Sequence, residues 1–283
     1  MLEQFRQIQS SLSRLYEESE ARSIARLVLE VGFGIDYVSI VAGKDKQFSP
    51  EESAKLDMIL HKLQSGIPVQ YALGVAEFGA LTLKVTPDVL IPRPETEELV
   101  DWICSDYQER EGIDILDIGT GSGCIAISLA TRLRACIDAW DISQEALQVA
   151  TANAARCKAA VRFSLRDALQ SSSYSEAARY DIVVSNPPYI ADAEKVDMES
   201  NVLDHEPELA LFVPDDDVLK FYRAIASGAR NLLKPGGTLY FEINSAHGQD
   251  TAALLQSMGY KGIELRQDFT GRDRMVKASY GTH

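Results

Sequence analysis

The chain predicts an α/β fold: an open, doubly wound, mostly parallel sheet of seven strands, preceded by a small helical domain and a β-hairpin linker. Two patterns carry that expectation. From Ile113 onward, short apolar runs alternate with helical segments, the signature of a parallel sheet covered on both faces. Before Gly74 the apolar residues recur at helical spacing instead.

In the first part, Leu2, Phe5, Ile8, Leu12 and Leu15 mark one helix, and Ile24, Leu27, Val28 and Val31 a second that ends at Gly32. A third starts at Ser49, with Pro50 at the first helical position and Glu52 placed to close a capping box, and stops near Gly66. Residues 75–90 (VAEFGALTLKVTPDVL) alternate and read as a hairpin. Residues 91–97 (IPRPETE) open another helix carrying Leu99, Val100 and Ile103. The expected domains are therefore residues 1–74, a linker over 75–90, and residues 91–283.

Strands are expected at 113–118, 135–141, 161–165, 180–185 and 238–243, each separated by a helix or loop. Residues 262–267 and 274–279 follow with no room for a crossover helix, so they should pair antiparallel.

Composition narrows the partners. The 283 residues are 46% hydrophobic and 25% charged, values of an ordinary globular protein long enough for one large domain and a smaller companion. A formal charge of −14 argues against a broad phosphate-binding surface, so no direct nucleic-acid substrate is expected. Cys104, Cys124, Cys136 and Cys157 show no metal spacing and read as reduced thiols; no metal site is expected. His61, His205, His247 and His283 are scattered and receive no role. The polar, helical amino terminus has no secretory pattern and no run is long enough to span a bilayer, so the cytoplasm and no membrane partner are expected.

Two segments carry the chemistry. The run Gly119-Thr120-Gly121-Ser122-Gly123 follows the first strand and precedes a helix, where backbone N–H groups face a ligand. Its spacing is Gly-x-Gly-x-Gly, with Cys124 at the third glycine of a dinucleotide fingerprint, so it suits a nucleoside ligand better than a pyrophosphate; a plain tight turn is the alternative. Asp141 ends the second strand, placed to take both ribose hydroxyls or, alternatively, to cap the next helix, as Ser143 could. Asp167, after the third strand, could accept from an adenine amino group or be an exposed loop carboxylate.

The second segment, Asn186-Pro187-Pro188-Tyr189, follows the strand 180–185. It suits methylation of a planar nitrogen. Such a nitrogen is a poor nucleophile and must be held by its N–H groups; Asn186 Oδ1 and the Pro187 carbonyl can accept, the prolines stiffen the backbone, and Tyr189 offers a flat face. A proline-stiffened turn is the structural alternative.

Together these segments resemble the class I S-adenosylmethionine-dependent methyltransferases, which have a Rossmann-like fold, and within them the protein-glutamine N5-methyltransferases that modify peptide chain release factors. The resemblance extends to Pro68-x-Gln70-Tyr71-x-x-Gly74 with Phe78, Leu90-Ile-Pro-Arg-Pro-Glu-Thr-Glu97, Val184-Ser-Asn-Pro-Pro-Tyr-Ile190, Glu206-Pro207 with Ala210-Leu211, Leu233-Lys-Pro-Gly-Gly237, Glu242-Ile243 and Gly271-Arg-Asp-Arg274. It implies that S-adenosyl-L-methionine is bound by Gly119, Thr120, Gly121, Ser122, Gly123, Asp141, Asp167, Ala168 and Asn186. It also implies that Asn186, Pro187, Pro188 and Tyr189 hold a glutamine of a release-factor Gly-Gly-Gln loop, that Asn186, Pro187 and Tyr189 serve catalysis, and that the helical domain grips the partner. The sequence departs from the family pattern at Ala168, where an aromatic is common, at Asp215 to Asp217, and at Asn244, where glycine usually follows Glu-Ile. A glutamine methyltransferase of a ribosomal protein, an adenine N6-methyltransferase and a cofactor-binding adaptor without activity are the rival readings, the intact Asn-Pro-Pro-Tyr counting against the last. A monomer is favoured, though the sequence leaves oligomeric state open.

Overall fold

A computed structural model describes residues 2–42, 47–175 and 178–281. Met1 and His283, the outermost residues of the expected domains, lie outside them.

The described chain divides into two compact units, one of residues 1–75 with 199–205 and one of residues 76–198 with 206–283. In the first, α1 (Leu2–Leu12), α2 (Glu18–Phe33), α3 (Tyr37–Val41), α4 (Pro50–Gln64) and α5 (Val69–Leu73) surround a core of Phe5, Ile8, Leu12, Ile24, Val28, Leu29, Ile59 and Leu63. The capping box at the start of α4 is complete. Ser49 Oγ accepts from Glu52 N at 3.1 Å and Glu52 Oε2 accepts from Ser49 N at 2.9 Å, satisfying two N–H groups that the helix leaves open.

The second unit begins with the hairpin β1 (Val75–Phe78) and β2 (Leu81–Lys84), and α6 (Pro94–Tyr107) follows. Then come β3 (Glu111–Ile118), α7 (Cys124–Arg132), β4 (Arg134–Asp141), α8 (Gln144–Cys157), β5 (Val161–Leu165) and β6 (Tyr180–Ser185). After the short β7 (Ile190–Ala191), α9 (Ser200–Leu203), α10 (Glu208–Leu211) and β8 (Phe212–Val213), the chain continues through α11 (Lys220–Leu232), β9 (Leu233–Glu242), α12 (Gly248–Ser257), β10 (Lys261–Gln267) and β11 (Asp273–Ser279).

The seven-stranded sheet has the order β10-β11-β9-β6-β3-β4-β5. Its five-strand body is parallel and β11 pairs antiparallel with both β9 and β10. Successive side chains of a strand face opposite ways, so the central strands feed two cores. Ile115, Ile137, Ile182 and Val184 pack under α6 and α7, while Leu116, Trp140, Val183 and Phe241 pack under α11 and α12. The doubly wound expectation is met.

The strand β9 starts five residues before the expected Thr238. Leu233 pairs with Tyr180 of β6, residues 234–237 bulge out without a partner there, and the ladder resumes at Thr238 opposite Ile182. The four cysteines are free.

One close approach in this packing bears on the loops above the sheet. Gly228, inside α11, lies so near Tyr174 that a Cβ built there falls on its ring. That ring is fixed on its other side by an edge contact with Trp140 and by its hydroxyl, which donates to the Ala168 carbonyl at 2.8 Å. Gly228→Ala should therefore destabilise, because overpacking of roughly 1–3 kcal/mol outweighs the helix-propensity gain of about 1 kcal/mol. Urea unfolding should show a lower midpoint at unchanged slope; a more stable variant would mean that Tyr174 is free to move.

Candidate functional site

The chain runs from β3 through β4 to β5 in one direction and then returns to place β6 on the other side of β3, so the strand order reverses between β3 and β6. Ligands of open parallel sheets bind at the carboxyl ends beside such a reversal. Ile118 and Ser185 are register partners there, which puts Gly119 and Asn186 side by side as the next residues of the two strands. Ser185 Oγ ties the ends together by donating to the Ile118 carbonyl at 2.6 Å.

The glycine loop is shaped by its backbone. Gly119, Gly121 and Gly123 have φ of 76°, 53° and 83°. At Gly123 a side chain is excluded on space as well, since a Cβ would come within 2.8 Å of Ile127 Cδ1 and 3.2 Å of Ala150 Cβ. At Gly119 and Gly121 a Cβ would meet nothing within 4 Å, so that side of the loop is open to a ligand. The N–H groups of Gly119 and Thr120 donate to the Trp140 carbonyl at 2.9 Å each.

Asp141 is the brace of this loop. Its Oδ2 accepts from Gly121 N at 2.8 Å and its Oδ1 from Ser143 N at 2.9 Å. The cap of α8 is Ser143, whose Oγ accepts from Ala146 N, so the capping alternative for Asp141 does not hold. Burial pushes the Asp141 carboxyl up, and the backbone donors pull it back. Asn153, fully buried on α8, clamps the same loop from behind: its Nδ2 donates to the Ser122 and Lys84 carbonyls at 2.9 Å each, and its Oδ1 accepts from Lys84 N at 2.6 Å.

Asp117, just ahead of the loop, is fully buried with Oδ2 taking the Thr120 hydroxyl at 2.6 Å. Burial pushes its carboxyl up to about 7, against the pull of the Thr120 bond. Its Oδ1 and the Ser122 hydroxyl are buried without a protein partner, two polar atoms available to a ligand.

Further along the strand ends, Ile142, Leu165, Asp167 and Gln170 line a groove of about 470 Å³. Ile142 and Leu165 are large apolar side chains left exposed, a surface suited to a flat ring. Asp167 Oδ1 accepts from Leu169 N at 2.8 Å, and Ala168 is held through its carbonyl by Tyr174.

On the β6 side, Asn186 Nδ2 donates to Thr96 Oγ1 at 3.2 Å, and the Thr96 hydroxyl donates to Glu242 Oε2 at 2.6 Å. The hydroxyl of Tyr189 reaches the other oxygen of Glu242 at 3.1 Å. Glu242 ends β9, beside β6, and its carboxyl is pushed up by burial while Thr96, Tyr189 and Arg274 oppose the shift. Asn244 Nδ2 donates to the Tyr189 carbonyl and to Glu194 Oε1, both at 3.1 Å. Pro94 starts α6, which carries Thr96, and the preceding stretch is pinned by buried Glu206, which accepts from Ile91 N at 3.1 Å and from Arg93 Nη2 at 2.5 Å.

The expected site residues Gly119 to Gly123, Asp141, Asp167, Ala168 and Asn186 to Tyr189 thus lie at or just beyond the carboxyl ends of β3, β4, β5 and β6. In the sequence Thr96 and Glu242 stand out only as parts of longer strings, and Asn153 does not stand out. A glutamate closing the apolar run Leu239-Tyr240-Phe241 was the available signal, because a carboxylate buried at a strand end needs partners. No group of three or more histidine, cysteine, aspartate or glutamate side chains among the described residues is arranged to hold a metal ion.

Comparison with known proteins points to one family. A family model described as methyltransferase small domain matches residues 99–208, and one described as PrmC N-terminal domain matches residues 3–74. A release factor glutamine methyltransferase of Bacteroides thetaiotaomicron is 46% identical over 273 residues, covering 96% of this chain and 97% of the relative. The chain belongs to the release factor glutamine methyltransferase family. A second member, from Flavobacterium psychrophilum, is 40% identical over 97% of each chain. A methyltransferase from Pyrococcus furiosus shares the fold, with a TM-score of 0.54 over 82% of this chain and all of that one, at 18% identity.

Membership makes the chain an S-adenosylmethionine-dependent methyltransferase, and the residues present fit that group. The open faces of Gly119 and Gly121 admit it, the unpartnered Asp117 Oδ1 and Ser122 Oγ supply polar atoms, and the groove at Ile142 and Leu165 can cover a base.

Proposed function

We propose that the protein methylates the side-chain amide nitrogen, N5, of the glutamine in the Gly-Gly-Gln loop of peptide chain release factors, in the cytoplasm and as a monomer. The observation that carries this reading is the position of Asn-Pro-Pro-Tyr beside the glycine loop at the strand reversal, in a chain so similar along its length to enzymes of that name.

S-adenosylmethionine supplies a methyl group made electrophilic by its sulfonium. The residues of this chain do the rest. Gly119 to Gly123 and Asp141 hold the nucleoside, Asp167 and Ala168 border its base, and Asp117 and Ser122 offer their unpaired atoms. Asn186 Oδ1 and the Pro187 carbonyl accept hydrogen bonds from the two N–H groups of the glutamine amide, which fixes its plane and stabilises the positive charge that reaches the nitrogen as the methyl leaves sulfur; one N–H proton is then lost to solvent, leaving the neutral methylamide. Tyr189 covers one face. The amide is neutral and attack disperses the charge of the sulfonium, so position and exclusion of water matter more than a strong acid or base.

The net charge of −14 supports a protein over a nucleic-acid substrate. The test is incubation with methyl-labelled S-adenosylmethionine and, in parallel, release factor, ribosomes and DNA. Label on release factor alone is expected; label on ribosomes or DNA instead would overturn the reading.

The helical domain, residues 1–74, we assign to partner recognition, since it carries none of the proposed site residues. A shortened chain starting at Val75 should bind S-adenosylhomocysteine but methylate intact release factor poorly. A normal rate on the intact factor would leave the helices as stabilising cover.

A further inference from the structure

The Asn186 amide is linked to a buried carboxylate through a single hydroxyl. Glu242 is 1% exposed, and both its oxygens are bound from within the protein, Oε2 by the Thr96 hydroxyl at 2.6 Å and Oε1 by the Tyr189 hydroxyl at 3.1 Å. The Thr96 hydroxyl donates to Glu242, and toward Asn186 Thr96 presents a lone pair. An amide facing a lone pair must offer its NH2, and Asn186 Nδ2 lies 3.2 Å from Thr96 Oγ1. With the nitrogen anchored, Oδ1 is turned to the opposite edge of the amide group.

We propose that Thr96 and Glu242 are positioning residues for methyl transfer: the carboxylate, acting through the Thr96 hydroxyl, holds the Asn186 amide with its oxygen toward the substrate nitrogen, and through the Tyr189 hydroxyl it holds the adjacent ring. The proposal rests on the substrate-holding role given to Asn186 above. Without the relay the two faces of an asparagine amide differ little in shape, and a flipped amide would point N–H groups at the N–H groups of the substrate. The register supports the arrangement, because Ser185 pairs with Phe241 and so places Asn186 beside Glu242 on adjacent parallel strands. Thr96 enters from the first turn of α6, whose start Glu206 fixes through Arg93 and the Ile91 amide.

Three variants separate orientation from packing. Glu242→Gln keeps the shape of the side chain but can donate to Thr96, releasing the Thr96 proton to bond Asn186 Oδ1 and allowing the amide to turn over. Thr96→Val removes the relay, and Thr96→Ser restores the hydroxyl. With wild-type protein, full-length release factor and saturating S-adenosylmethionine, Glu242→Gln and Thr96→Val should each lower the single-turnover rate about ten- to hundredfold with S-adenosylhomocysteine affinity within about twofold, while Thr96→Ser stays near wild type. Combining Thr96→Val with Asn186→Ala should give little further loss beyond Asn186→Ala alone, since both remove the same oriented oxygen.

If Asn186→Ala is impaired but Glu242→Gln turns over at the wild-type rate, or if the losses of Thr96→Val and Asn186→Ala multiply, the relay is refuted and Thr96 and Glu242 are packing residues. If Asn186→Ala itself is unimpaired, the substrate-holding reading fails first, and the two failures are thus distinguishable. Should Thr96→Val prove unstable, the isosteric Glu242→Gln decides by itself.

Discussion

Asn186→Ala should slow methyl transfer by two to three decades while leaving the S-adenosylmethionine site nearly intact. The substitution removes the oxygen that accepts a substrate N–H, leaving a planar amide both unpaired and free to rotate in a site from which water is excluded. Loss of a positioned polar group at a reacting centre costs roughly 2–4 kcal/mol in the barrier. Binding of the donor should change little, because the Gly119 to Gly123 loop and its Asp141 brace are held by their own bonds to Trp140 and Ser143. Asn186→Asp is a sharper probe. It keeps an acceptor oxygen but adds a negative charge near the sulfonium, favouring donor binding, and its second oxygen faces a Thr96 lone pair where the amide had offered N–H. Single-turnover kinetics at saturating donor measure both, and an alanine variant with a near-normal rate would reduce Asn-Pro-Pro-Tyr to a turn.

Asp141→Ala should weaken S-adenosylhomocysteine by about 1.5–3 kcal/mol, the scale of hydrogen bonds to a charged acceptor. Each carboxylate oxygen already takes one backbone N–H, from Gly121 or Ser143, which leaves one lone pair apiece for a vicinal diol. The loss has two sources: the ribose contacts go, and Gly121, whose side toward the ligand is open, loses the bond that fixes it. Titration calorimetry gives the affinity directly. Unchanged binding would mean that Asp141 neither holds the ribose nor fixes the loop for it.

How far the sequence disclosed this site follows from the range of each interaction. The glycine loop, Asp141 and Asn186 to Tyr189 were legible because their signals are local, a strand end followed by residues of unusual chemistry. The capping box of α4 was legible for the same reason, since Ser49, Pro50 and Glu52 lie within one turn. The relay was not, because Thr96 and Glu242 are 146 positions apart and meet only after β9 has been laid beside β6. Asn153 is hidden likewise: it sits in an ordinary helical stretch, and its partners Lys84 and Ser122 come from a hairpin and a loop far away in the chain. Short elements escaped for a different reason. The helices α3 and α5 have five residues each and β7 and β8 two, too few to establish a period. At β9 the expected start, Thr238, is where the unbroken ladder begins, and only the Leu233 pairing ahead of the Pro235-Gly236-Gly237 interruption was hidden.

The departures in the loops take on meaning in the structure. Asn244 adopts φ of −64°, a backbone that asks for no glycine, and spends its side chain on the Tyr189 carbonyl, Glu194 and the Ala246 amide. Ala168 presents no ring of its own, and the exposed Ile142 and Leu165 furnish the apolar surface of that groove instead.

The central claim is the identity of the methylated atom, and fragment mass spectrometry of release factor after reaction with this protein and S-adenosylmethionine reads it directly. The account predicts a single added methyl on the side-chain nitrogen of the Gly-Gly-Gln glutamine, with the same fragment unmodified when Asn186→Ala is used for an equal time. A methyl on a lysine, a backbone amine or any other residue of the factor, with that glutamine unmodified, would contradict it.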